Sequence, residues 1–134
     1  KDVNFVMEDA LSFDGNTGPY AQYTYARTCS ILEKAGEVTI DGIRITEPAE
    51  AALCKVLSQF GEAVLSAVAD YEPSDVTRYI LDVCTAFNRF YHDCPILSAD
   101  DETARKSRVA LTQATNYVLG NALPLICLKT PEKI

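Results

Sequence analysis

The 134-residue sequence contains no tryptophan, one methionine and one histidine. That single His92, with no C-x-x-C pair among Cys29, Cys54, Cys84, Cys94 and Cys127, leaves too little for a Cys/His zinc cluster. Five widely spaced cysteines also make a poor disulfide framework. Most fall in apolar-periodic stretches, so reduced thiols used as small core residues in a cytoplasmic protein are expected. No apolar run approaches the ~18 residues of a membrane span, and the start lacks a signal-peptide pattern, so no membrane partner is expected. Also missing are G-x-S-x-G, H-E-x-x-H and a Walker-type loop, which excludes the common nucleophile, metal and phosphate sites. No catalytic residue, metal site or cofactor site is therefore assigned to this segment. Asp100 and Asp101 read as helix caps, His92 as a surface residue, and Gly15-Asn16-Thr17-Gly18 as a capping turn in preference to an anion cradle.

What is present is enough apolar residue, 48%, for one ordinary globular domain. The chain starts with Lys1 and enters a mid-domain pattern at once, as expected of a piece of a longer protein. Residues 2–13 mix apolar and acidic side chains without a clean period, compatible with a short strand or a helical turn. A first helix is expected from about Pro19 to Lys34, stopped by Gly36. Glu37 to Ile45 carry Asp41-Gly42 between β-branched runs, either a hairpin or an extended excursion between helices. Thr46-Glu47-Pro48 opens a second helix reaching about Ala69, and Pro73-Ser74-Asp75 a third that Cys94-Pro95 ends. The acid-rich Ser98–Glu102 opens a fourth, from about Asp101 to Leu119, with Gly120 as its stop. Residues 121–128 suit a short fifth helix despite Pro124, and Lys129–Ile134 form a tail. The expected fold is all-α: a bundle of four long helices plus a short C-terminal helix.

Function is hinted at by the first helix. Ala21, Tyr25, Cys29 and Leu32 keep core spacing, while Tyr20, Tyr23 and Arg27, at i, i+3 and i+7, share another face. Asn88 and Tyr91 lie about one turn apart near the end of the third helix. Aromatic rings and guanidinium planes stack on unpaired bases, and amides and hydroxyls read base edges. The plainer alternative is partly buried bundle tyrosines with satisfied hydroxyls. The net charge of −7 argues at first against nucleic acid. It is unevenly spread, however: residues 47–75 carry a net −5 (six acids, Lys55) and residues 103–134 a net +4 (five bases, Glu132). A third possibility is an acidic helical protein-interaction domain whose second helix docks a basic partner.

Ser12-Phe13-Asp14-Gly15-Asn16-Thr17-Gly18-Pro19-Tyr20-Ala21-Gln22-Tyr23, with Arg27, resembles the Ser-Phe-acid-Gly-Asn/Asp-Thr-Gly-Pro-Tyr-Leu-Gln-Tyr-x-x-x-Arg signature of arginyl-tRNA synthetases. Phe87-Asn88-Arg89-Phe90-Tyr91, Cys94-Pro95-Ile96-Leu97, Arg105-x-x-Arg108-x-x-Leu111 and Pro131-Glu132-Lys133-Ile134 resemble the rest of that family's C-terminal part. Ala21 stands where leucine is usual, and Ile134 where a terminal methionine is common. The resemblance implies the helical anticodon-binding (DALR) domain, over residues 19–134, with residues 1–18 leading in from an upstream catalytic domain. It implies a cytoplasmic parent enzyme joining arginine to its tRNA with ATP and magnesium, its HIGH and KMSKS motifs lying outside this segment. It further implies that Tyr20, Tyr23, Arg27, Asn88, Tyr91 and Ile134 contact the anticodon stem-loop. Related helical domains occur on other synthetases, including the glycyl type, so arginine is implied by the Thr-Gly-Pro-Tyr-x-Gln-Tyr element.

Overall fold

The computed structural model describes residues 6–12, 15 and 17–134. Expectations that fall on residues 1–5, Phe13, Asp14 and Asn16, the last a member of the capping turn, lie outside the described residues. Where residues 2–13 are described they form a single helical turn, α1 (Met7–Ala10).

Thr17 then sets the first long helix, α2 (Gly18–Ala35). Its extended backbone and its side chain, which accepts from the Tyr20 N–H at 3.1 Å, satisfy one of the free donors of the first turn. Pro19, which has no N–H to lose, occupies that turn. Gly36 ends the helix at φ 66°, a conformation only glycine adopts cheaply.

Residues 36–47 contain no strand, so the Asp41-Gly42 segment is the extended excursion and not the hairpin. It leads to α3 (Pro48–Ser58), capped at Glu47 rather than Thr46. A helix of the expected length is broken here, because Gln59 sits at ψ 0° and α4 (Phe60–Ala69) starts anew. The cause is tertiary. Tyr79 donates its hydroxyl to the carbonyls of Val56 (3.0 Å) and Leu57 (3.4 Å), acceptors that an unbroken helix would use itself. Pro48–Ala69 as a whole is long and apolar enough, with a mean hydropathy of 1.3, to pass as a membrane span, contrary to the reading of the bare sequence. The break at Gln59 and the packing of α3 on the helices that follow make it part of the bundle.

Those helices are α5 (Ser74–Asp93) and α6 (Glu102–Leu125). α5 is central: α2, α3, α4 and α6 all pack on it, and α2 and α3 also meet α6. The buried stripe of α5 is the expected one, Val76, Tyr79, Ile80, Val83, Phe87 and Phe90, joined by Cys84. The Cys94 N–H bonds back to the Phe90 carbonyl, and Pro95 prevents another turn. Asp101 caps α6 by accepting from the Ala104 N–H at 3.0 Å.

Three further expectations fail. Gly120 does not end α6; it faces the Tyr25 ring of α2, where a Cβ would lie in ordinary contact, 3.4 Å from Tyr25 Cε2. The separate short helix is the continuation of α6, with Pro124 in its last turn. That turn closes with Cys127 at φ 60° and the Leu128 N–H bonded to the Leu123 carbonyl; α4 closes the same way at Tyr71, φ 53°, with the Glu72 N–H bonded to the Ala67 carbonyl. The buried face of α2 is Ala21, Thr24, Thr28 and Ile31, one position away from the expected Ala21, Tyr25, Cys29 and Leu32, which apart from Ala21 are half-buried. Thr24 and Thr28 hide their polarity by donating to their own helix, at the carbonyls of Tyr20 (2.9 Å) and Tyr25 (2.6 Å). The expected tail is anchored to α2. Gln22 donates to the Lys129 carbonyl at 3.0 Å and Lys133 lies 3.8 Å from Glu33, so residues 129–134 lie along α2.

Candidate nucleic-acid interface

The spare face of α2 meets the end of α5. Arg27 lies over the Tyr23 ring of its own helix and the Tyr91 ring of α5, with centroid distances of 4.8 and 4.9 Å. The guanidinium thus bridges two aromatic faces, an arrangement that favours a delocalised, weakly hydrated cation. Its Nη1 donates to Asn88 Oδ1 at 2.5 Å. Asn88 Nδ2 donates in turn to Tyr20 Oη at 2.9 Å and Thr24 Oγ1 at 3.1 Å. Phe87, fully buried one turn earlier on α5, stacks beside Tyr91 at 6.5 Å and fixes its position.

All six residues singled out in the sequence fall in one neighbourhood. Tyr23, Arg27, Tyr91 and Ile134 line an open cleft of about 470 Å³ between α2, the end of α5 and the tail. Tyr20 and Asn88 do not line it: they stand behind Arg27, with Tyr20 packed against the core. Tyr23 and Tyr91 remain 40% and 45% exposed and Ile134 64%, so the aromatic and apolar surface is accessible to a large ligand.

The cleft also includes Ser30, Glu33, Lys34, Glu132 and Lys133, none of them among the six candidate residues, although Glu132 and Lys133 lie in a stretch that carries the resemblance. Lys34 continues the Tyr23–Arg27 line by another seven residues, a signal that a longer helical count would have caught. Thr24 was missed because a buried threonine in a helix looks like a surface one.

The excess of positive charge in the C-terminal third is not an open basic face. Arg108 is buried, its Nε 2.7 Å from Glu50 Oε1 and its Nη1 2.8 Å from the Pro95 carbonyl. Arg105 faces Glu102, Lys106 bonds Asp41 at 2.9 Å, and Arg44 bonds Asp101 at the head of α6. These contacts tie the 37–47 excursion to α6 and leave the basic groups of the cleft as Arg27, Lys34 and Lys133.

Among the described residues Glu50 is the most deeply buried acid, 1% exposed. Burial pushes its carboxyl pKa up, but the Thr46 N–H, Arg108 and the Glu47 N–H together outweigh that and hold it below the ordinary value. Burial pushes the Tyr79 phenol up to about 12. Among the described residues no group of three His, Cys, Asp or Glu side chains is placed to hold a metal ion.

Residues 21–134 match the DALR anticodon binding domain. Over its whole length the chain is 43% identical to an arginine–tRNA ligase of Alkaliphilus metalliredigens and 46% identical to one of Clostridioides difficile, covering 24% of each. The arginyl-tRNA synthetase structure of Thermus thermophilus superposes on the whole chain with a TM-score of 0.91 at 36% identity, again over 24% of that protein. The Plasmodium falciparum arginyl-tRNA synthetase superposes with a TM-score of 0.86 at 27% identity. The chain thus spans about a quarter of the length of the curated relatives it matches.

Proposed function

We propose, on the premise that this chain belongs to the DALR anticodon binding domain family, that it holds the anticodon stem-loop of arginine tRNA for a cytoplasmic arginine–tRNA ligase. The ligase reaction, which uses ATP and magnesium, takes place on a catalytic domain beyond this chain. Identity of 43–46% to arginine–tRNA ligases over the full chain supports arginine, rather than glycine, as the amino acid.

The observation that carries the reading is the Tyr23–Arg27–Tyr91 stack at the mouth of the cleft. Unpaired bases need flat partners with a cation close by, and this is the chemistry the stack offers. Lys34 and Lys133 would meet phosphates at the rim, and Ile134 would give a base an apolar edge. Tyr20 and Asn88 complete the same cluster from behind. Because the cations of the cleft are few, only a modest part of the affinity comes from counterion release, and base stacking carries the rest.

The test is equilibrium binding of the full-length protein to transcripts of arginine tRNA and glycine tRNA at two salt concentrations. Preference for the arginine transcript, with affinity falling as salt rises, is the expected result. Equal affinity for both, or none that responds to salt, overturns the reading.

A further inference from the structure

Asn88 is a residue that chemistry would nominate as a base reader, since a carboxamide can both donate to and accept from a base edge. Its surroundings give it different work. The carboxamide is engaged on both ends by protein: Oδ1 accepts from Arg27, and Nδ2 donates to Tyr20 Oη and Thr24 Oγ1. The orientation of the amide is dictated by its partners. A guanidinium can only donate, so the oxygen must face Arg27. The Thr24 hydroxyl has already given its proton to the Tyr20 carbonyl, so it can only accept, and the nitrogen must face Thr24. Flipping the amide would break the bonds to Arg27 and Thr24, while the Tyr20 hydroxyl, which can donate or accept, would adapt to either orientation. Asn88 also stays out of the cleft that Tyr23, Arg27 and Tyr91 line.

We infer that Asn88 is a positioning residue, which fixes Arg27 between the Tyr23 and Tyr91 rings through a polarised Thr24–Asn88–Arg27 relay and does not itself touch RNA. This rests on the proposed function above and assigns roles within the same site. Arginine side chains carry much rotamer freedom, and a guanidinium held in place before the ligand arrives avoids that ordering cost on binding. The relay starts at Thr24, fully buried, so the position of Arg27 is tied to the bundle core and not to the surface.

The experiment is a double-mutant cycle on the full-length ligase, with arginine tRNA transcript as the probe. Asn88→Ala alone is expected to weaken binding roughly tenfold, the scale of one hydrogen bond to a charged group. In an Arg27→Ala background the same change is expected to have almost no effect, within about twofold, because the residue it acts through has gone. A direct base contact would survive in that background, and full additivity of the two losses overturns the inference. Thr24→Val, nearly isosteric, is the second variant should Asn88→Ala fail to fold. It is expected to weaken binding about two- to fivefold with Arg27 present and not in its absence. Persistence of that loss without Arg27 overturns the inference as well. If neither Arg27→Ala nor Tyr91→Ala weakens binding, the RNA-binding reading falls. If both do while Asn88→Ala is neutral, only the positioning role falls.

Discussion

Removing the Glu50 carboxylate should cost this fold more than any change on its surface. Glu50 joins the start of α3 to α6. Oε2 accepts from the Thr46 and Glu47 N–H groups at 2.8 and 3.1 Å, closing the start of α3, while Oε1 takes Arg108 of α6. Arg108 then reaches past α5 to the Pro95 carbonyl. Glu50→Ala would leave the Arg108 guanidinium, whose side chain is 10% exposed, with a charge and no counter-charge. Breaking a buried pair from one side costs about 3–5 kcal/mol, and the freed N–H groups push the loss to the upper part of that range. Typical domain stabilities are about 5–15 kcal/mol, so this variant should lose from about a third to nearly all of its stability. Urea denaturation followed by circular dichroism measures it, with an unchanged slope showing that stability alone moved. The pH dependence gives an independent reading. The Glu50 pKa is lower in the fold than its ordinary 4.5, so the stability it adds is complete above pH 4.5 and is lost as pH falls through the lower, folded value. Glu50→Gln should flatten that acid limb. A loss below about 1 kcal/mol for Glu50→Ala, or an acid limb unchanged in Glu50→Gln, would refute the reasoning.

Other changes test the helix ends and contacts. Tyr71 closes α4 at φ 53° with its side chain 91% exposed, so Tyr71→Gly should relieve backbone strain and gain about 0.5–1 kcal/mol in thermal melts. Gly120→Leu should push the Tyr25 ring away and cost about 1–3 kcal/mol in urea denaturation, whereas Gly120→Ala should be tolerated. With its phenol raised to about 12 by burial, Tyr79 should ionise after ordinary tyrosines in an absorbance titration. The neutral form is the one the fold keeps, so stability should fall as pH rises above 10, and Tyr79→Phe should lessen that fall, to which the raised Cys84 thiol also contributes, while costing about 1 kcal/mol at neutral pH.

Helix starts and stops were legible in the sequence wherever the signal is local. Thr17 before Pro19, Gly36, Asp101 and the Cys94-Pro95 pair each act on backbone groups a few residues away, so reading them needs no knowledge of the fold. The failures share the opposite property. The break at Gln59 depends on a hydroxyl from Tyr79, twenty residues later in the chain. Gly120 looks like a stop until the Tyr25 ring is placed against it, and Thr24 and Thr28 look like surface residues until their hydroxyls turn back on their own helix. The site divides in the same way. The spacing of Tyr20, Tyr23 and Arg27 put them on one face, but nothing in α2 announces that α5 supplies Tyr91 and Asn88 to complete it; resemblance to a family did that. The positive charge of the C-terminal third was a misleading clue, because Arg108, Lys106 and Arg105 have acidic partners inside the fold.

The central claim is that the ring of Tyr91, with Arg27 and Tyr23, meets the anticodon loop. Its most direct measurement is the affinity of the full-length protein for arginine tRNA with its native anticodon loop and with that loop replaced, using wild-type protein and Tyr91→Ala. The wild type should discriminate between the two RNAs, and Tyr91→Ala should lose about 1–3 kcal/mol on the native loop and much of that discrimination. Undiminished discrimination by Tyr91→Ala would contradict it.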